Sequence, residues 1–280
     1  MDTFIGFLEA ERDRGISHVL LDEGAREGLR KLQKLAQKPS LPVASLAASP
    51  LPAANPTPKA VVTNSILKVL GTTKVERLAS LKQQAENWLP AKELQTLRET
   101  MVFATGNPDA RLMLVGEAPG HEEEKLREPF VGPAGQKLND ILKAMGLSRE
   151  EIYISNIVKF RPATPRQTTN NRKPSPEEMA ACMPFIRSEI KIIQPACIVA
   201  LGGTAAEGLL NLSGTVASMR GSWHSLGGIP VRVTYHPSYL LQSGANLSIK
   251  RQLWEDMLTV MEQLTLPISE KQRDFFLPKN

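Results

Sequence analysis

Two side chains stand where chemistry could be done, a carboxylate at Glu117 and an imidazole at His236. Glu117 follows the apolar run Leu112-Met113-Leu114-Val115 and lies within Gly116-Glu117-Ala118-Pro119-Gly120. The run has the content of a strand buried on both faces, and the glycines and Pro119 end it. An acid is thereby placed at the carboxyl end of a central strand, where open α/β sheets bind ligands. His236 leaves the alternating segment Val231-Arg232-Val233-Thr234-Tyr235 in the same way, fixed by Pro237 and followed by Ser238-Tyr239-Leu240-Leu241. Between them come Glu122, Glu123 and Glu124, then Pro129-Phe130-Val131-Gly132, then Asn156 at another strand end. Singly, each has a plain structural reading: solvated acids, a core phenylalanine, a turn asparagine, a satisfied histidine.

Positioning these groups requires an alternation of strands and helices. Strands are expected at residues 112–115, 152–156, 198–201 and 231–235. Helices are expected at 136–145, from the Pro174-Ser175-Pro176-Glu177 opening, at 205–210 after Gly202-Gly203-Thr204, and at 249–264. The fold class is α/β, a three-layer α/β/α arrangement around a central, mostly parallel four-stranded sheet with a helical amino-terminal extension. Residues 1–38 read as short helices, 39–62 as a Pro/Ala/Ser-rich flexible linker, 63–98 as a helical lead-in, 99–265 as the main domain and 266–280 as a tail. The amino-terminal helices are either a docking element for a protein partner or an appendage without one.

The chain has 280 residues, an apolar fraction of 41% and a formal net charge of +5. That supports a sizeable core and suits a polyanionic partner without demanding one. No apolar run approaches a membrane span, and the first residues lack the order of a secretory signal, so a cytoplasmic protein is expected.

GEAPG, PFVGPAG, SNIVKFRP and HPSYLL occur in that order. Together they resemble the family 4 uracil-DNA glycosylases over roughly residues 97–264. The resemblance implies hydrolysis of the N-glycosidic bond of a flipped-out deoxyuridine, releasing uracil and leaving an abasic site, with uracil-containing DNA as partner and the enzyme a monomer. Glu117 would stand near the sugar, positioning water and favouring its cation, and His236 would hydrogen-bond uracil O2. Phe130 would stack on the base beside Gly116, Asn156 would pair with its polar edge, and Glu123 would crowd C5. A same-fold glycosylase for another deaminated base such as hypoxanthine, and a non-catalytic DNA-binding member, remain open alternatives.

The resembled family usually holds an iron–sulfur cluster on four cysteines. This chain has two, Cys182 and Cys197, and only Cys182 matches a cluster position. The third position reads Phe160, and residues 86–98 contain no cysteine. One thiolate cannot hold a cluster, so no cofactor and no metal are expected, with Phe160, Trp88 and Leu89 filling the space.

By the same resemblance, Pro237, Ser238, Tyr239, Leu240 and Leu241 form the loop that enters the minor groove, apolar residues replacing lost stacking. Ser238, Thr204 and backbone amides near Gly132 and Gly203 are candidates for phosphate contact. The 161–174 loop, longer than in the family, carries Arg161, Arg166 and Arg172; it either reaches phosphates or is a disordered polar loop. It contains no histidine for the covalent trapping seen in a related branch, and no lysine in a motif position supports a lyase step.

Overall fold

The computed structural model describes residues 67–242 and 246–277. The expected helices within 1–38 and the linker at 39–62 lie outside the described residues. The first described helix, α1 (Lys74–Glu86), is capped by Thr73, whose hydroxyl accepts from the Glu76 N–H while the Glu76 carboxylate accepts from the Thr73 N–H. This reciprocal cap satisfies two of the helix's free donors. The short α2 (Leu89–Lys92) follows, with Pro90 in its first turn. The all-helical lead-in is corrected at both ends. Residues 67–72 are not helical, and from Leu97 the chain is strand β1 (Leu97–Met101).

Next come β2 (Ala104–Gly106), β3 (Leu112–Gly116), α3 (His121–Leu126), α4 (Pro133–Met145), β4 (Tyr153–Asn156) and β5 (Phe160–Pro162). After these follow α5 (Pro176–Ile193), β6 (Cys197–Leu201), α6 (Gly203–Leu210), α7 (Val216–Met219), β7 (Trp223–Leu226) and β8 (Ile229–Thr234). The described chain closes with α8 (Tyr239–Gln242), α9 (Leu247–Gln263) and α10 (Glu270–Arg273), the last a helical turn within the expected tail.

Among the described residues the sheet has six strands in the order β2-β4-β3-β6-β8-β7, not four. The four expected strands form its parallel centre, and β2 and β7 add antiparallel edges. Both additions are short and partly exposed, so neither carries the apolar run that marks a buried strand. β7 returns to β8 through Gly227-Gly228, both at positive φ, the backbone of a tight hairpin. β1 and β5 pair separately as an antiparallel ribbon.

Successive residues of β3 face opposite layers, as the strand period of two requires. Met113 and Val115 join a core with Phe160, Met179, Cys182, Phe185 and Ile186, which α1, α2 and α5 cover. Leu112 and Leu114 join a second core with Leu138, Leu142, Trp254 and Met257 from α4 and α9. Sandwiched this way, the sheet is fixed rigidly, and the carboxyl ends of β3, β4, β6 and β8 share one rim. No described helix is long and apolar enough to cross a membrane.

Charges inside the first core are paired. Lys159 and Glu189, both fully buried, lie 2.5 Å apart, with Lys159 also donating to the Ser155 hydroxyl. Removing either partner would leave an uncompensated buried charge. Lys159, the one lysine in the SNIVKFRP motif, is therefore committed to the scaffold.

Candidate active site

A cavity of about 560 Å³ opens at the rim, a size suited to a small ligand. Glu117, Glu123, Phe130, Asn156 and His236 all line it, so the predicted residues converge on one place. Leu201, Tyr235, Asn171, Val216 and Ala217 are also among its walls and were not anticipated as such. For Asn171 the signal was the asparagine–arginine pair closing the long loop. Val216 and Ala217 come from α7, in a stretch with no motif to mark it.

Glu117 continues β3 past its last paired residue, where its carbonyl accepts from the Val158 N–H. Burial pushes its carboxyl above the ordinary carboxylate range, opposed by a hydrogen bond from the Thr204 hydroxyl and by the charge of Lys173, with Glu207 adding to the rise. The Thr204 Oγ1 lies 2.5 Å from Glu117 Oε2. Its one hydroxyl proton is used there, which corrects the expectation that Thr204 contacts phosphate.

Phe130 is buried at the cavity floor with φ 55°, a left-handed backbone unusual for an aromatic residue. Its ring lies so close to Gly116 that a Cβ there would fall 2.5 Å from Cζ, and the same Cβ would strike Asn156 Oδ1. Glycine at 116 is what lets ring and amide meet.

Asn156 is buried at the end of β4, and its Oδ1 has no hydrogen-bond partner. An orphaned buried acceptor costs about 1–3 kcal/mol unless something supplies a donor. Here a bound ligand in the cavity can do so.

The His236 ring centroid is 5.5 Å from that of Phe130, the planes inclined by 32°. The Ser238 backbone N–H donates to Nδ1 at 3.2 Å, and the Ser238 hydroxyl oxygen lies 2.8 Å from the same nitrogen. A backbone N–H can only donate, so Nδ1 is the acceptor and the neutral ring carries its proton on Nε2. Enclosure of the ring lowers its pKa to about 4, against an upward pull from Glu123. The imidazole is thus an uncharged donor.

The Glu123 carboxylate accepts from the N–H groups of Gly120, Val131 and Gly132 and joins the two loops of the rim. The Gly132 amide is used in this way, which corrects its assignment to phosphate. Gly203 opens α6 on the cavity wall. In the expected groove loop, Pro237 is buried and Leu240 is partly buried against the second core. Tyr239, stacked on Tyr235 at 5.3 Å, and Leu241 are exposed. Ser238 is engaged with His236 rather than facing a phosphate.

The long loop is ordered by its own arginines. Arg161 directs its five N–H groups to Asn171, Glu124, the His121 ring and the carbonyls of Thr168 and Asn170. Arg172 likewise uses five, on Glu178 twice and on the carbonyls of Ala163, Lys173 and Thr96. Every N–H of both is already engaged within the protein, which favours the loop-closing role over phosphate contact. Arg166 is exposed.

The thiols do not fit an iron–sulfur cluster. Cys182 lies in the first core and Cys197 in the second, on opposite faces of the sheet, and burial pushes them up to about 11 and about 12. Phe160 is buried beside Cys182, and Trp88 packs edge-on against Phe185 at 4.9 Å while its indole donates to the Ala181 carbonyl. Leu89, expected to help fill this space, is 58% exposed. Among the described residues, no group of three or more His, Cys, Asp or Glu could hold a metal ion.

Comparison with known proteins agrees with this geometry. A profile of the uracil DNA glycosylase superfamily matches residues 103–258. A type-4 uracil-DNA glycosylase of Thermotoga maritima is 41% identical over 186 residues, covering 65% of this chain and 92% of that protein. A type-4 uracil-DNA glycosylase of Sulfurisphaera tokodaii is 34% identical over 214 residues, covering 72% of this chain and 91% of that protein. A type-5 uracil-DNA glycosylase of Pyrobaculum aerophilum is 30% identical over 162 residues, covering 52% and 69%. This chain therefore belongs to the uracil DNA glycosylase superfamily, on its type-4 branch.

Proposed function

We propose that this chain is a monofunctional uracil-DNA glycosylase that works without an iron–sulfur cluster. The observation that carries the reading is the orphaned Asn156 Oδ1 in a cavity shared with the neutral His236 and the Phe130 ring. Uracil presents a donor at N3 and an acceptor at O4. The Asn156 amide matches that order, accepting at Oδ1 and donating from its NH₂ group. Cytosine presents the reverse order and leaves both groups opposed.

The base must leave the duplex stack before any of these groups can reach it. Tyr239 and Leu241, exposed beside the cavity, occupy the place it vacates. Phe130 stacks on the extruded ring, and the Glu123-bound loops close round its C5 edge. As the bond between C1′ and N1 breaks, negative charge spreads onto O2, where the His236 Nε2–H donates. A preorganised donor of this kind is worth roughly 3 kcal/mol. Glu117 faces the sugar side, stabilises the cationic C1′ and takes a proton from the attacking water. The bonding pair departs with uracil, and the hydroxyl remains on C1′ of the abasic sugar. Lys159 is held in a buried pair, so its amine is not available for a Schiff base.

A duplex with a single uracil tests this, with wild type compared against Glu117→Ala and His236→Ala. Uracil release by iron-free wild type and its loss in both variants supports the reading. Binding without release overturns it, as does release of hypoxanthine from a parallel hypoxanthine-containing duplex with no release from the uracil duplex.

A further inference from the structure

Thr204 is the second residue of α6, which begins directly after β6, the parallel neighbour of β3. Its side chain is not on the cavity wall and is only 5% exposed, yet its hydroxyl donates to Glu117 Oε2. The branched Cβ leaves threonine few rotamers in a helix, and the contact with Glu117 selects the one that aims Oγ1 at the carboxylate. A hydroxyl has a single proton to give, and this one is spent on one oxygen of one carboxylate.

We propose that Thr204 is a positioning residue for Glu117, locking the rotation of the carboxylate through Oε2 and leaving Oε1 as the oxygen that receives the proton of the attacking water. The proposal rests on the glycosylase reading of Glu117 and extends it to a residue that touches no substrate. Charge-assisted hydrogen bonds favour the ionised form of their acceptor. Burial works against ionisation of Glu117, and the Thr204 hydroxyl works for it. The other charged groups acting on Glu117 are Lys173, from the long loop, and Glu207, further along α6. They are ion-paired with each other at 2.8 Å, and their effects on Glu117 oppose one another.

The sign of the pH effect follows. Without the hydroxyl the carboxylate takes up its proton at higher pH, so the acid limb of the rate profile moves upward. Single-turnover uracil release is to be measured between pH 4.5 and 9 for wild type, Thr204→Val, Thr204→Ser and Glu117→Gln. Relative to wild type, Thr204→Val should lose about tenfold more rate at pH 5 than at pH 8, and Thr204→Ser should restore the wild-type profile. A Thr204→Val profile parallel to wild type at every pH, whatever its height, overturns the assignment while the glycosylase reading stands. Undiminished release by Glu117→Gln removes the reading beneath it instead. A titration of the ¹³C-labelled Glu117 carboxyl, followed without substrate, decides independently of activity: an unchanged midpoint in Thr204→Val sinks the proposal.

Discussion

The carbonyl oxygen of Phe130 accepts a hydrogen bond from Arg149 Nη1 at 2.9 Å, and the preceding carbonyl, that of Pro129, accepts from Nη2 of the same guanidinium at 2.8 Å. Arg149 also bonds Glu128 and Asn139, so one planar group grips the chain on both sides of the aromatic residue. The left-handed backbone at Phe130 costs on the order of 1–3 kcal/mol, and persists only where its surroundings enforce it. Gly135 contributes by absence, because a Cβ there would collide with the Phe130 carbonyl.

Replacing Arg149 with methionine should release this segment. The expected result is a fall of about tenfold in kcat/KM for uracil excision, with a smaller fall for Arg149→Lys, whose ammonium cannot span two carbonyls as a planar fork does. Steady-state kinetics on a single-uracil duplex checks this. Wild-type kinetics in Arg149→Met would show that the ring is held by its packing alone.

The imidazole of His236 should remain uncharged well below neutral pH. Its folded-state pKa is lowered to about 4 from an ordinary 6.5, so between those values the unfolded chain binds the proton and the folded chain does not. Stability from this residue is complete above about pH 6.5 and declines as pH falls toward 4. Nitrogen-15 spectra of the ring should show the Nε2–H tautomer at pH 6, with no titration near 6.5. An imidazolium signal at pH 6 would defeat the neutral-donor mechanism.

Asn156→Asp should reduce uracil excision by about 10²–10³-fold, the usual cost of losing one preorganised donor. An ionised carboxylate has no N–H for O4 and places negative charge beside it. Single-turnover rates measure the loss, and an unchanged rate would mean that Asn156 does not read the base.

The parallel strands and the residues at their ends were legible in the sequence for one physical reason. A strand buried on both faces favours an apolar run, and Leu112, Ile154 and Ile198 lie in such runs, while Val233 lies in an alternating one. Glu117, Asn156 and His236 mark where the runs stop. The edge strands β2 and β7 lack the run because one side of each is solvated, and β5 is only three residues long. The contacts of Arg149, Thr204, Arg161 and Arg172 were not legible, since each is set by a partner distant in sequence. A basic cluster reads alike whether its donors face phosphate or close a loop.

That ambiguity gives the long loop its own test. Burial would raise the Glu178 carboxyl, but hydrogen bonds led by Arg172 hold it below the usual carboxylate range. Its side chain is 1% exposed, so Arg172→Met strands a buried charge at a cost of about 3 kcal/mol. The melting temperature should fall by about 10 °C. Arg161→Met should cost less, because Glu124 keeps the Arg98 guanidinium at 2.9 Å. Neither change should alter how steeply DNA binding weakens with salt, since neither residue has an N–H left for phosphate. Arg166→Met is the contrast: the residue is exposed, so the melting temperature should hold while the logarithmic salt slope shrinks by about one. A shallower slope in Arg161→Met or Arg172→Met, with stability intact, would return those arginines to the DNA.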